Sequence, residues 1–447
     1  MATQTEVQER IGAKSVEAPP YPGIPATVDG SEAAVWVETH ICQGACAYPI
    51  TPSTPMGDGF QAEVSRGKKN LWGQSLFFLE PESEHSSASA CEGFALAGGR
   101  VANFTSGQGL VLMKEVLHVI SGKRLPMVFH IGARTLTSQG LCIHAGHDDV
   151  LAVADTGWGI LFARNAQEVA DLALIARRVA EDSETPFMVV QDGFLGTHTV
   201  ESVLLPEPEL MEKFVGDPAT KLRRLFDPTN PMLSGSVQNQ DAYMKGKVAQ
   251  RYFYERVPQA LTAACAEFAR LTGRTYHLVD AHRLDDADYA FVGMATLAET
   301  AAATADWLRR ARGLRIGVLH ITSFRPFPAR EVVAALRNCR AIAVIERMDN
   351  PLADSNPLAA EIKAAFADAV AGTPGYPKLE RMPTFYSGIA GLGSRDVRPG
   401  DFVAVADNFQ RDGRRLCVLG IKYPLALERA EDPDVRPART FSMRGHS

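Results

Sequence analysis

Three polar side chains stand where apolar segments of the sequence end, and each could bind a small polar ligand. Thr51 lies in "AYPITPSTPMGD", residues 47–58, a stretch that contains three prolines. Glu84 follows the apolar run "LFFLE", and Arg134 comes directly after "LPMVFHIGA". A carboxyl group can exchange protons, and a planar guanidinium can bind a carboxylate through two hydrogen bonds. Because open α/β sheets bind ligands at the carboxyl ends of their strands, these positions predict a site.

Each of the three residues also has a purely structural interpretation. On composition alone the proline-rich stretch is more typical of a rigid connecting turn, and its prolines predict that no helix or central strand runs through residues 47–58. Glu80, Glu82 and Glu84 together could form a solvated acidic turn. Glu84 is preferred as a site residue because it stands next to "SSASA", whose small side chains let a helix approach another chain or a cofactor closely. Arg134 could instead form a structural ion pair.

Motifs for phosphate and metal binding are missing or incomplete. The sequence contains no G-x-x-x-x-G-K-[ST] and no G-x-G-x-x-G after a strand-like run. The stretch "SGQG" at 106–109 is either a turn that binds an anion or a tight packing turn. The group His144, His147, Asp148 and Asp149 looks like a metal cluster, but no remote third ligand completes it. We therefore predict no metal site in this chain.

Composition excludes several classes of function. The seven cysteines are scattered and odd in number, which indicates a reducing, cytoplasmic environment. Only Cys42 and Cys46 stand close together, so neither zinc nor an iron–sulfur cluster is expected on this chain. A formal net charge of −6 gives no electrostatic reason to bind nucleic acid. The apolar runs are too short to span a membrane, and the N-terminus lacks the apolar segment of a secretory signal.

The elements that must position these residues follow an alternating pattern. Short apolar runs rich in strand formers alternate with amphipathic helical segments, which predicts the α/β class with parallel sheets covered on both faces. We expect an N-terminal arm over residues 1–30, an α/β domain over 31–240, a second α/β domain over 241–370 and a C-terminal extension over 371–447. The proline-rich arm is expected to be disordered alone or to lie on a partner. Residues 205–250 are predicted to form a surface excursion or connection.

Several irregular motifs resemble one known family. The segments "AYPITPSTPM", "SEHSSASACEGFALAGG", "FTSGQGLVLM", "FHIGARTLTSQGLCIHAGHDDV" and "PFMVVQDGFLGTHTV" occur in the order and spacing of the N-terminal domain of pyruvate:ferredoxin oxidoreductases. The later segments "ITSFRPFP" and "AIAVIER" are similar to the domain that follows, which is like a transketolase C-terminal domain. The resemblance covers roughly residues 31–370. It implies a pyrimidine-type, thiamine diphosphate-binding parallel-sheet domain followed by a transketolase-C-like α/β domain.

The resemblance assigns a role to each candidate residue. It implies that the loop containing Pro49 lies over the reactive ring of thiamine diphosphate and that Thr51 contacts the substrate. Glu84 takes the place of the carboxyl group that hydrogen-bonds N1′ of the aminopyrimidine and so promotes loss of the thiazolium proton. Arg134 corresponds to the arginine that clamps the substrate carboxylate, and Ile143 to an apolar residue that lines the substrate pocket. Thr51, Glu84 and Arg134 are therefore the expected catalytic residues.

The resemblance further implies an α subunit that works with other chains. Family members oxidatively decarboxylate 2-oxo acids, pass electrons to iron–sulfur clusters and usually transfer the acyl group to coenzyme A. Thiamine enzymes commonly hold Mg²⁺ and diphosphate with Gly-Asp-Gly and an Asn roughly 25–30 residues later. Neither Gly57–Asp58–Gly59 nor Gln191–Asp192–Gly193 has such an Asn, and both are interpreted as turns.

The missing parts are accordingly expected on partners. The Mg²⁺ and diphosphate ligands are expected on a β subunit, and [4Fe-4S] clusters on γ and iron–sulfur subunits. The electron acceptor would be ferredoxin or an NAD-linked protein. Two alternatives stay open: a non-catalytic scaffold subunit, and a subunit of a redox-free thiamine diphosphate transferase or decarboxylase. A scaffold would have no need to keep Thr51, Glu84 and Arg134 together.

The substrate is less well defined than the reaction. Thr51 favours a 2-oxo acid with a neutral side chain, such as pyruvate. His85, Ser86 and Ser87 replace the smaller residues that are usual in the family, and His144 stands where an aromatic residue is common. These departures leave room for a bulkier aryl substrate such as phenylglyoxylate.

Overall fold

Near-continuous apolar runs form the strands of two largely parallel sheets in the computed structural model, which describes residues 18–421. The strands "VFHIGA" and "AIAVIE" are buried at every position, as expected for parallel sheets that helices cover on both faces. The predicted α/β class is therefore confirmed. Within residues 18–421, no helix combines the length and the hydropathy needed to cross a bilayer.

The strands of the described residues have the following bounds. In chain order they are β1 (Ile24–Val28), β2 (Gly44–Cys46), β3 (Phe77–Leu79), β4 (Val101–Thr105), β5 (Val128–Ala133), β6 (Gly159–Phe162), β7 (Phe187–Asp192), β8 (Glu201–Leu205), β9 (Val279–His282), β10 (Tyr289–Gly293), β11 (Ile316–Ile321), β12 (Ser323–Arg325), β13 (Ala341–Glu346), β14 (Thr384–Ile389) and β15 (Leu416–Val418).

The helices lie mainly in the connections between these strands. In chain order they are α1 (Gly30–Ile41), α2 (Thr54–Ser65), α3 (Glu84–Leu96), α4 (Gly107–Leu112), α5 (Lys114–Gly122), α6 (Asp148–Ala152), α7 (Ala166–Ser183), α8 (Pro208–Val215), α9 (Pro218–Lys221), α10 (Gln240–Ala249), α11 (Arg251–Tyr254), α12 (Val257–Thr272), α13 (Leu297–Arg312), α14 (Ala329–Leu336), α15 (Pro357–Ala371) and α16 (Pro399–Gln410).

The first sheet has seven strands in the order β12-β6-β7-β5-β4-β2-β3. All neighbours run parallel except β12, which pairs antiparallel with β6 and sets Ser323 opposite Leu161. The edge strand of the first sheet thus comes from the second half of the chain. The parallel order brings the carboxyl ends of β2, β3, β4, β5 and β7 to one edge, which is where the candidate site residues follow.

The second sheet has six strands in the order β15-β14-β13-β10-β11-β9, with β9 antiparallel to β11. Strand β14 pairs in parallel with β13, with Thr384 opposite Ala341, and β15 lies beyond it. The sheet therefore continues past residue 370, where the sequence predicts that a C-terminal extension begins. Periodicity does not predict β14, because a polar, proline-containing stretch precedes it. The predicted extended tail "DPDVRPARTFSMRGHS" lies outside the described residues.

The last part of the predicted N-terminal arm, residues 18–30, belongs to the first unit. Strand β1 pairs antiparallel with β8, and the amide of Tyr21 donates to the carbonyl of Leu271 over 3.0 Å. Asp29 caps α1 in a capping box with Glu32. Residues 18–30 therefore pack on their own chain, and residues 1–17 of the arm lie outside the described part.

The proline-rich stretch is not free of helix as predicted. Helix α2 begins at Thr54, inside the stretch, with Pro55 in its first turn. Proline is tolerated there because the first helical amides have no intrahelical acceptor and its fixed φ suits a helix. The prediction is right for residues 47–53, which form the loop after β2, and wrong for the residues that follow.

Candidate active site

The proline-rich loop that follows β2 is hydrogen-bonded to the residue that follows β5, which lies two strands away in the sheet. Nη1 of Arg134 donates to the main-chain oxygen of Thr51 over 2.7 Å. The ring of Pro52 lies over Gly132, where a Cβ would come within 3.1 Å of Pro52 Cγ. Thr51 is half-buried and Pro49 is exposed. The structure thus brings Thr51 and Arg134 together and places Pro49 on the open side of the loop.

Arg134 is a nearly buried cation that keeps unused hydrogen-bonding capacity. Its residue surface is 6% exposed, and its Nε is buried without a hydrogen-bond partner. Within residues 18–421 it forms no salt bridge, so the structural ion pair considered from the sequence is not what holds it. Burial lowers the pKa of Arg134, and the nearby Asp149, Cys142 and Glu84 partly offset this effect. The guanidinium is therefore placed and charged to receive an anion.

Glu84 is the first residue of α3, and Ser83 is its N-cap. A carboxylate at a helix N-terminus is favoured by the helix dipole. In the described part of the chain, the Glu84 carboxylate takes part in no hydrogen bond or salt bridge. Of the other two acidic residues, Glu82 accepts a hydrogen bond from the Ser86 hydroxyl, and Glu80 is exposed. Glu84 is therefore the carboxylate of this trio that faces the site with its oxygens uncommitted.

The "SGQG" stretch forms a packing turn between Glu84 and Arg134. Gly107 opens α4 with φ of +51°, and a Cβ there would lie 3.0 Å from Nε of Arg134. A Cβ at Gly109 would lie 2.7 Å from Oε1 of Glu84. Glycine at both positions lets the two charged side chains lie directly on this backbone, and at Gly107 it also suits the positive φ. The turn thus sets the spacing of the two predicted site residues.

The predicted pocket residue Ile143 lies at the rim. It is 37% exposed, on the loop that follows Arg134. The next residue, His144, packs on Phe194 with ring centroids 4.5 Å apart, and Phe194 packs on His198 at 4.8 Å. An aromatic cluster that the sequence argument missed therefore stands next to Ile143.

The apparent metal cluster separates into three unrelated contacts. His147 Nε2 bonds Asp192 Oδ1 over 2.7 Å, and Asp148 accepts the amide of Leu136. Asp149 is fully buried and accepts main-chain amides instead. No group of metal-ligating side chains occurs among the described residues. Asp149 is visible in the sequence as the second acidic residue of "HDDV". Its role is not, because the amides of Gly107 and Arg134 that it binds are distant in sequence.

Of the two Asp-Gly motifs that the sequence predicts to be turns, the first is helical, and the second begins as strand and enters a turn only at Gly193. Gly57–Asp58–Gly59 lies inside α2, because the proline in the first turn starts a helix. Asp192 is the last residue of β7 and is fully buried. Burial alone would raise the pKa of Asp192, but Arg347 and His147 outweigh it and hold the pKa well below its usual range.

Asp192 also joins the two units of the chain. Its Oδ2 accepts a hydrogen bond from Arg347 Nε over 3.0 Å and another from the Thr296 hydroxyl. Arg347 follows β13 and Thr296 precedes α13, so both belong to the second unit. This buried contact fixes the loop after β7, whose Gly193 leaves room for the Pro52 ring.

Two family models match most of the described chain. Residues 38–264 match the thiamine diphosphate-binding domain of pyruvate flavodoxin/ferredoxin oxidoreductases, and residues 287–402 match core domain II of pyruvate:ferredoxin oxidoreductase. The chain is 34% identical over 388 residues to pyruvate-flavodoxin oxidoreductase of Klebsiella pneumoniae, which covers 86% of this chain and 32% of that protein. It is 32% identical to pyruvate:ferredoxin oxidoreductase of Moorella thermoacetica, over 94% of this chain and 35% of that protein.

A shorter relative and a solved structure complete the comparison. A pyruvate-flavodoxin oxidoreductase sequence from Nostoc sp. is 35% identical to this chain. The match includes 85% of this chain and 92% of the Nostoc sequence. The fold is similar to that of 2-oxoglutarate:ferredoxin oxidoreductase from Magnetococcus marinus, with a TM-score of 0.61 at 18% identity, over 87% of this chain and 65% of that chain. The chain spans about a third of the length of the Klebsiella and Moorella relatives. Together, the matched domains and these relatives show that the chain belongs to the pyruvate flavodoxin/ferredoxin oxidoreductase family.

Proposed function

We propose that this chain is the α subunit of a 2-oxoacid:acceptor oxidoreductase and provides the aminopyrimidine half of a thiamine diphosphate site. One observation carries the proposal: Glu84 and Arg134 lie on the same glycine turn, each with polar atoms that no described residue satisfies. A buried polar atom without a partner, such as Nε of Arg134, is costly unless a ligand completes it. Their pairing is expected of a binding site and has no evident use in a scaffold.

The residues fit the cofactor in chemical type. The uncommitted carboxylate of Glu84 would hold N1′ of the aminopyrimidine, and the proline-rich loop with Pro49 would lie over the adjacent ring. When bound, thiamine diphosphate supplies the electron sink for the carbanion that remains after a 2-oxo acid loses CO₂. Glu84 would hold a proton at N1′, and a carboxyl group is suited to this exchange because it can be donor or acceptor.

Arg134 and Thr51 would orient the substrate. The guanidinium would bind the substrate carboxylate through the donors that Thr51 does not occupy, and the Thr51 side chain would contact the 2-oxo group. Because Arg134 is held by a main-chain oxygen, little side-chain entropy is lost when substrate binds. Ile143 and the adjacent His144–Phe194 pair would border the side-chain end of the substrate. That end would accept a pyruvate-like or an aryl 2-oxo acid.

The remaining functions are proposed to lie on partner chains. A β subunit would carry Mg²⁺ and the diphosphate ligands, since no metal-ligating group occurs among the described residues. The γ and iron–sulfur subunits would carry [4Fe-4S] clusters and pass electrons to ferredoxin or an NAD-linked acceptor, with coenzyme A accepting the acyl group. The Klebsiella and Moorella relatives extend well beyond the part that this chain matches. The Magnetococcus structure contains 2-oxoglutarate, coenzyme A and succinyl-CoA, which is consistent with an acyl-CoA product.

The test is a substrate screen on the native complex. The chain would be tagged in its source organism, purified with its partners under anaerobic conditions, and assayed for viologen reduction with pyruvate, phenylglyoxylate and 2-oxoglutarate, each with and without coenzyme A. We expect coenzyme A-dependent dye reduction with one monocarboxylic 2-oxo acid. CO₂ release without dye reduction would show redox-free chemistry instead, and full activity of a Glu84→Gln, Arg134→Leu double variant would show a scaffold.

A further inference from the structure

Asp149 holds together the three segments that carry the site. Its Oδ2 accepts the amide of Gly107 over 2.8 Å and the amide of Arg134 over 3.0 Å, while Oδ1 accepts the amide of Val150 over 2.8 Å. The residue is fully buried. One carboxylate therefore joins the start of α4, the end of β5 and the first turn of α6.

Two of these amides belong to the pieces that define the site geometry. The amide of Arg134 fixes the backbone from which the guanidinium extends to Thr51. The amide of Gly107 fixes the turn on which that guanidinium lies, where a Cβ would come within 3.0 Å of Arg134 Nε. Oδ2 of Asp149 thus fixes both the backbone of Arg134 and the glycine turn on which the Arg134 guanidinium lies.

The same turn controls Glu84. Gly109 lies two residues after Gly107 in α4 and faces the Glu84 carboxylate. A shift of the turn would therefore change the distance between Glu84 and Arg134, and a displacement of about 1 Å can cost about a hundredfold in rate. Asp149 accepts hydrogen bonds from main-chain amides alone, because no described side chain donates a hydrogen bond to it.

Burying the charged Asp149 side chain costs free energy. The fold accepts this cost, which indicates that the three amides need a carboxylate as their acceptor. Burial raises the pKa of Asp149 to about 7, although its three amide hydrogen bonds act in the opposite direction. An asparagine could keep one oxygen toward Gly107 and Arg134, but its amide nitrogen would then face the amide of Val150. Only a carboxylate accepts at both ends.

We propose that Asp149 is a positioning residue for 2-oxo acid binding, which acts through the amides of Arg134 and Gly107 and never touches substrate. This inference rests on the proposed function of Arg134. It predicts a graded effect on KM. In the complete enzyme, Asp149→Ala should raise KM for the 2-oxo acid by about tenfold, and Asp149→Asn by less, because it retains the shared acceptor.

A double-mutant cycle separates positioning from mere structural support. If Asp149 acts through Arg134, Asp149→Ala should raise KM no further in an Arg134→Leu background. The matched control is Asp148→Asn, which removes a charge from the adjacent residue and leaves both site amides bonded. Hydrogen exchange on the same variants should be faster at the Gly107 and Arg134 amides in Asp149→Ala and unchanged in Asp148→Asn.

The outcomes distinguish this inference from the proposed function. If Arg134→Leu raises KM and Asp149→Ala does not, while exchange at the two amides increases, Asp149 is a structural residue and the inference is wrong. An independent tenfold effect in the Arg134→Leu background would also overturn it. If neither variant changes KM, the role of Arg134 fails and the inference fails with it. Should Asp149→Ala not fold, the intermediate KM expected of Asp149→Asn decides in its place.

Discussion

The guanidinium of Arg134 donates a 2.7 Å hydrogen bond to the carbonyl oxygen of Thr51, so the end of β5 holds the proline-rich loop that follows β2. The prolines make the loop stiff, and this bond fixes its position relative to the sheet. A loop that is already ordered does not lose conformational entropy when a ligand binds. The stretch is therefore both a rigid connection and one wall of the candidate site.

Arg134→Leu should raise KM for the 2-oxo acid by about ten- to a hundredfold, because a hydrogen bond to a charged group contributes roughly 1.5–3 kcal/mol. Steady-state kinetics of the assembled enzyme provide the measurement. Arg337→Leu, at an exposed arginine of the second unit, is the control and should leave KM unchanged. An unaltered KM in Arg134→Leu would instead assign the guanidinium to support of the proline-rich loop.

Gly109→Ala should lower the activity of the site without unfolding the protein. The added Cβ would lie 2.6 Å from Cγ of Glu84, so the flexible carboxylate must move away from its position. We expect kcat to fall at least tenfold while the melting temperature changes little. Gly93→Ala is the matched control, because a Cβ at this helical position meets nothing within 4 Å. Equal activity of the two variants would show that the position of Glu84 is not critical.

The buried group Glu38–Arg177–His130 should make stability depend on pH. Burial alone would raise the pKa of Glu38, but Arg177 and His130 outweigh it and lower the pKa from 4.5 to about 2. The folded state therefore gains stability from ionised Glu38 above about pH 4.5 and loses it as the pH falls toward 2.

Melting curves between pH 3 and 7 test this group. Glu38→Gln leaves Arg177 buried without its carboxylate and should cost about 3–5 kcal/mol at neutral pH, with a flatter dependence on pH. Asp286→Asn, which removes an exposed pairing with Arg309, should change the curve little. A Glu38→Gln curve that runs parallel to that of the parent would refute the ionised state of Glu38.

Some of this site could be predicted from the sequence and some could not. Glu84 and Arg134 are recognisable because each follows an apolar strand within an irregular motif. The role of Asp149 depends on which amides it meets, and those amides lie 42 and 15 residues away in the chain. The Asp-Gly motif predicts a turn at residues 191–193, but nothing local indicates that Asp192 ends a buried strand and pairs with Arg347 of the other unit.

The same limit applies to the fold. Strand formers and helical periodicity predict the α/β class, since both are local properties. Strand β12 has only three residues, and nothing in "SFR" indicates that it joins the first sheet rather than the second. The pairing of β12 with β6 depends on how the two units pack together, and a three-residue strand is too short to show a hydrophobic periodicity that would indicate it.

The chain without partners should bind thiamine diphosphate weakly or not at all, with or without Mg²⁺. It offers Glu84 and the proline-rich loop for the pyrimidine end, whereas the described residues offer no metal-ligating group for the diphosphate. Titration calorimetry of the isolated chain, with the assembled complex as the positive control, measures this directly. Tight stoichiometric binding by the isolated chain would show that it carries the complete site.

Exchange of the C2 proton of thiamine diphosphate in the assembled enzyme tests the central claim most directly, because it reports on Glu84 without substrate or electron acceptor. An amide cannot exchange a proton with N1′ as a carboxyl group does, so Glu84→Gln should slow C2 exchange by at least a hundredfold, in the range typical of a lost acid–base group. Glu82→Gln, two residues away on the exposed turn, should exchange as the parent does. Parent-like exchange in Glu84→Gln would contradict the assignment of this chain as the catalytic pyrimidine half of the site.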